Sequence, residues 1–126
     1  MDSIIPSGHI GVKTIRVSAD MTATKFGSGL VDVFATPAMI AFMETTALHS
    51  ISSFLTETLT SVGTEVNIKH LRASPVGRDL RCESKVIEVN GKKIVFEVAV
   101  FDEDVLVGHG THTRYVVDKE KFMLKL

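Results

Sequence analysis

The stretch Val33 to Leu55, VFATPAMIAFMETTALHSISSFL, decides the fold, because it is the one segment that reads as a long helix. Thr36-Pro37 marks its start. A threonine oxygen can cap free N–H groups, and proline suits the first helical position because its missing N–H needs no partner there. At about 100° per residue, Ile40, Met43, Ala47, Leu48, Ile51 and Leu55 form one apolar arc, with Glu44 near its middle. A carboxylate in that position is costly unless it is paired or hydrogen-bonded. Glu44 is therefore either a structural acid satisfied by a neighbour or a functional group, and what faces it decides which. On the same wheel Met39 and Phe42 project away from the arc, which predicts an exposed apolar contact surface.

Downstream, Thr60 to Leu71 (TSVGTEVNIKHL) alternates, with Val62, Thr64, Val66, Ile68 and His70 on one face. This predicts a half-buried strand that carries His70 on its inner side. Asp79–Val89 and Lys92–Asp102 flank Asn90-Gly91, a strong hairpin signal because a tight turn wants positive φ at both positions. Glu103-Asp104 turns the chain again into Val105–Val117. Upstream, Gly8–Ser18 predicts a first strand, and the polar, glycine-containing Ala19–Leu30 a loop placed to lie over a cleft. Asp118–Leu126 reads as a short helix or a mobile end. The expected class is α+β: an antiparallel sheet of about five strands whose apolar face is covered by the one long helix. Glu44 and His70 would both point into the layer between them.

At 126 residues, residues 1–126 are expected to form a single domain with a proper core. A formal net charge of −1 offers no basic surface for nucleic acid. No apolar run approaches the roughly 18 residues of a membrane span. MDSIIPSGHIG lacks the basic region and apolar core of a signal peptide, and the single cysteine, Cys82, precludes an intramolecular disulfide framework. Both point to a cytoplasmic protein.

A carboxylate and an imidazole in one layer can share a proton, orient water or raise the basicity of a hydroxyl. Thr36 supplies such a hydroxyl, although its preference for the cap position favours a purely structural role. The helix start also offers N–H groups and a positive dipole end to a developing oxyanion. His70 taken alone reads more readily as a satisfied core histidine than as a catalyst. His109 and His112 are an odd number of positions apart, so on a strand they face opposite ways and make poor joint metal ligands. Gly108-His109-Gly110 matches no phosphate loop and marks a bulge or a close backbone approach.

Four blocks in order carry a family resemblance: VFATPAMIA (33–41), VGTEVNIKHL (62–71), SPVG (74–77) and GTHTRYVVD (110–118). Together they resemble the fluoroacetyl-CoA thioesterase-like family over most of the chain, from about Val33 to Asp118. The resemblance implies a hot-dog fold, a sheet wrapped around a long helix. It implies hydrolysis of a short-chain acyl-CoA or related thioester, with Thr36, Glu44 and His70 as catalytic residues and Gly63 and Arg114 as substrate-binding residues. It implies no metal and no cofactor, CoA being part of the substrate, and a homodimer with CoA near the joint. The family's fluoroacetyl-specific member is similar in layout but has a lid of bulky aromatics before its T-P-A block. Lys25-Phe26-Gly27-Ser28-Gly29-Leu30 has one aromatic and two glycines, which leaves the acyl group open. A non-catalytic acyl-CoA binding module is the alternative; the presence of both Glu44 and His70 favours the enzyme.

Overall fold

A computed structural model describes residues 5–126. Strand β1 (Ile10–Arg16) is followed by a short helix α1 (Ala23–Phe26), the long helix α2 (Thr36–Ile51), and strands β2 (Leu59–His70), β3 (Asp79–Asn90), β4 (Lys93–Asp102) and β5 (Val105–Asp118). The chain then ends in helix α3 (Lys119–Leu124), whose first turn is capped by the Asp118 carboxylate. All five strands are antiparallel, in the order β1-β3-β4-β5-β2. Both predicted turns join their strands where expected, with positive φ at Gly91 and Glu103. The expected loop at 19–30 holds one helical turn, capped by Thr22 and ended by Gly27 in the left-handed region.

Helix α2 lies on one face of the sheet, but it is rotated from the predicted phase. It buries Ala38, Met39, Phe42, Met43, Thr46, Ala47 and Ile51, while Ile40, Glu44 and Leu48 are only half-buried at its flank. Met39 and Phe42, expected on an exposed contact surface, are 0 % and 5 % exposed within the chain. The difference in phase turns on Thr46, which an arc of apolar residues leaves out of the buried face. Its hydroxyl donates to the Phe42 carbonyl at 2.7 Å, so the side chain enters the core with its hydrogen bond made. Gly108 on β5 lets the helix approach closely, since a Cβ there would stand 2.6 Å from the Met39 sulfur.

The core lies between α2 and the inner residues of β3, β4 and β5, among them Leu80, Val86, Ile94, Phe96, Val98, Val100 and Val107. Cys82 is buried in it, as an ordinary strand residue would be, and burial pushes its thiol up to about 11.

Strand β2 departs from strict alternation. Gly63 pairs with Arg114 but Glu65 with Thr113, so Thr64 is an extra residue, a β-bulge. The bulge changes which parity faces the helix. Ser61 and Gly63 face inward before it, and Val66, Ile68 and His70 after it. The prediction of one even-numbered inner face thus holds for His70 and fails for Val62 and Thr64.

Candidate active site

Two polar clusters flank the bulge, one at each end of β2. The first joins the start of α2 to the end of β2. Ala35 takes the cap position with extended φ and ψ, and Thr36 is the first helical residue with no capping bond of its own. The expectation that Thr36 caps the helix is therefore wrong. Backbone bonds from Phe34 to the Ser74 carbonyl and from Ala35 to the Met21 carbonyl fix the chain just before the turn. The Thr36 hydroxyl oxygen instead lies 2.8 Å from His70 Nδ1. The other ring nitrogen, Nε2, is buried without a hydrogen-bond partner among the described residues, and the ring sits edge-on to Phe34. Burial holds the imidazole below its ordinary 6.5, opposed in part by the Arg72 backbone. A cleft of about 400 Å³ opens over this pair, lined also by Ala23, Ser28, Pro37 and Arg72. The glycine-containing segment before the helix does border a cleft, as the sequence indicated. A larger depression of about 590 Å³ lies over Asn67, Lys69, Glu97 and His109, and none of the predicted site residues lines it.

The second cluster surrounds Gly63. A Cβ built there would come 2.7 Å from Glu44 Oε2, 3.0 Å from His112 Cε1 and 3.4 Å from Arg114 Nη1. Any larger residue here would displace the Glu44 carboxylate or the His112 ring. Arg114 is 6 % exposed, not a surface residue: Nε donates to Ser61 Oγ at 2.7 Å, Nη2 to the Ser61 carbonyl at 2.8 Å, and Nη1 to His112 Nε2 at 3.0 Å. Burial lowers its pKa and the Glu44 carboxylate opposes that shift. His112 is the member that sequence reasoning missed. The signal for it is its two-residue spacing from Arg114, which puts both on one face of a strand.

The structure does not bring Glu44 and His70 together within one chain. Glu44 makes no hydrogen bond or ion pair with a described residue, and its charge acts on His112 and Arg114, not on His70. Eight residues of helix separate it from Thr36, about 12 Å of rise. Sequence periodicity gave the layer correctly and was blind to distance along it.

The sequence profile of the fluoroacetyl-CoA-specific thioesterases matches residues 17–120. The chain belongs to that family. A fluoroacetyl-CoA thioesterase from Streptantibioticus cattleyicolor is 30% identical over 95 residues, 75% of this chain and 68% of its own. A solved structure of the fluoroacetyl-CoA thioesterase superposes with a TM-score of 0.92 at 25% identity, covering 98% of this chain and 96% of that one. A hot-dog-like protein from Thermanaerovibrio acidaminovorans shares the fold, with a TM-score of 0.86 at 24% identity over 95% and 89% of the two chains. The hot-dog architecture expected from the sequence is what the chain adopts. No helix among the described residues is long and apolar enough to cross a membrane, and none of their His, Cys, Asp and Glu side chains form a group of three able to hold a metal.

Proposed function

We propose that this protein hydrolyses short-chain acyl-CoA thioesters to the free acid and CoA. The observation that carries the reading is the Thr36–His70 hydrogen bond at the mouth of a cleft, made by a threonine that does not cap its helix. With the hydroxyl donating, Nδ1 presents a lone pair. It takes the proton of Thr36, or of a water held in its place, as the oxygen bonds to the acyl carbon. The C–S bond then breaks, and the imidazolium returns its proton to the departing thiolate. Where Thr36 is the nucleophile, a water deprotonated by His70 then attacks the acyl–Thr36 ester, whose C–O bond breaks to release the free acid as the proton returns to Thr36. N–H groups of the first turn of α2 face the carbonyl oxygen as charge develops on it. A thiolate is a good leaving group, so the scheme uses no metal or cofactor.

Glu44 enters through a second copy of the chain. Strand β2 is an edge of the sheet, exposed from Gly63 to Asn67. Edges of this kind are commonly closed by pairing. Antiparallel pairing of two β2 edges about a two-fold axis near the middle of the strand would bring the Gly63 end of one copy toward the His70 end of the other. The Glu44–Arg114 cluster of one subunit then meets the Thr36–His70 pair of its neighbour, and the substrate lies between them. In this homodimer Glu44 orients the attacking water or the imidazole, and Gly63 and Arg114 hold the acyl end. We place the enzyme in the cytoplasm, where CoA thioesters are made and the lone thiol stays reduced. A panel of acyl-CoAs assayed for free thiol tests the reading. Release from one or more short acyl chains is expected, and binding without release would reduce the protein to an acyl-CoA binding module.

A further inference from the structure

His112 is a buried titratable side chain to which the scheme above gives no part. It is 1 % exposed and stacks on Phe96 at 6.2 Å. Its two nitrogens are assigned by their partners. The Glu65 carbonyl at 2.8 Å can only accept, so Nδ1 carries the proton. The guanidinium can only donate, so Nε2 carries the lone pair that receives Arg114 Nη1 at 3.0 Å. A proton on Nε2 would face an Arg114 N–H, which fixes the ring as neutral.

Arg114 is held by this bond and by two to Ser61, which leaves two of its five N–H groups unused among the described residues. Glu44 Oε2 and Arg114 Nη1 both border the space of one missing methyl group at Gly63, yet they form no ion pair among the described residues. An unbraced guanidinium would close on that carboxylate, because attraction between opposite charges is strong away from water. A carboxylate so paired is a poorer base and a poorer orienter of water. We propose that His112 is a positioning residue that holds Arg114 back from a closed ion pair with Glu44, keeping the carboxylate and two guanidinium N–H groups open to the substrate. The same ring ties the strand at the bulge, through Glu65, to the arginine. The inference rests on the thioesterase reading and on the part of Glu44 in it.

Two substitutions divide the two hydrogen bonds. A glutamine oxygen reaches the position of Nε2 and restores the acceptor for Arg114, whereas an asparagine nitrogen reaches the position of Nδ1 and restores only the donor to Glu65. His112→Asn is expected to lower kcat roughly 10–100-fold, the worth of one hydrogen bond to a charged group, with less change in KM. His112→Gln should recover most of that loss. Recovery by Asn and not by Gln, or equal loss in both, would show that His112 only supports the bulge and would overturn the proposal. Nitrogen NMR of the imidazole rings in the unmodified protein tests the bracing without turnover. One neutral ring protonated at Nδ1 and accepting at Nε2 is expected at neutral pH, and a His112 ring that is charged or protonated at Nε2 sinks the idea. If no acyl-CoA releases thiol, the function reading falls while this measurement still judges the brace.

Discussion

The two ends of strand β2 handle polar groups in opposite ways. At the His70 end, an exposed threonine and a half-buried imidazole share one hydrogen bond, and the second ring nitrogen has no partner among the described residues. At the Gly63 end, both nitrogens of His112 and three nitrogens of Arg114 are engaged, and both residues are buried. The first end keeps hydrogen-bonding capacity in reserve, which suits the proton exchange proposed for it. The second is more fully hydrogen-bonded, which suits the proposed holding of a charge in place. The bulge at Thr64 allows one strand to present both to the same side of the sheet.

The comparison breaks most sharply if the loosely held end is removed. His70→Ala is expected to lower kcat by roughly 10²–10⁴ while the protein melts as before, because a general base contributes about that much. Near-normal turnover in a folded variant would move the chemistry elsewhere. Thr36→Ser should retain far more activity than Thr36→Ala, since only the hydroxyl is asked to act.

Mixing two inactive proteins tests whether the ends work across a subunit boundary. Glu44→Gln should lose most activity with little change in melting temperature. When His70→Ala and Glu44→Gln chains are unfolded together and refolded, half of the dimers are mixed and each holds one intact shared site. Activity should return to about a quarter of the unmodified level, as two-fold symmetry requires. No recovery would confine each site to one chain, and a monomeric mass by light scattering would do the same.

A smaller effect is expected from Gly63→Ala. Its methyl group would meet the end of the Glu44 side chain at 2.7 Å and the His112 ring at 3.0 Å. Overpacking of this kind costs about 1–3 kcal/mol, and the displaced carboxylate should reduce kcat further than the lost stability explains. Unchanged kinetics would mean that Glu44 has slack the structure does not show.

The gentlest test is pH. His70 and His112 both have imidazoles held below the ordinary 6.5 by burial. Each therefore binds protons more weakly in the folded chain than in the unfolded one. Below 6.5 the unfolded chain takes up more protons, so their contribution to stability is complete above that value and declines as the pH falls through the folded pKa. Melting temperature should drop on the acid side, and the acid limb of kcat/KM should lie below 6.5. An acid limb above 6.5 would contradict a buried neutral base.

Much of this was legible in the sequence where a period or a turn carried it. The Asn90-Gly91 hairpin, the second turn and the long helix all follow from local chemistry. The phase of the helix was not legible, because Thr46 enters the core by returning its hydrogen bond to Phe42, and a wheel that counts apolar residues cannot see that. Nor was the bulge, since Thr64 fits the alternation of its neighbours, and the parity of β2 changes only in the pairing with β5. Glu44 and His70 were correctly assigned to one layer but not to opposite ends of it. His112 was legible as a neighbour of Arg114, since a spacing of two places both on one face of a strand, but its hydrogen bond to that arginine was not.

The sealed thiol of Cys82 has a practical consequence. With its pKa near 11 and no exposed surface, the chain's one cysteine is effectively silent to alkylating and spin-labelling reagents at neutral pH. A cysteine introduced at exposed Leu30 or Lys69 would then be the sole reactive handle, with no background to engineer away. In the proposed dimer, paired labels on two copies would turn the spacing between neighbouring edge strands into a measurable distance, in solution and during turnover.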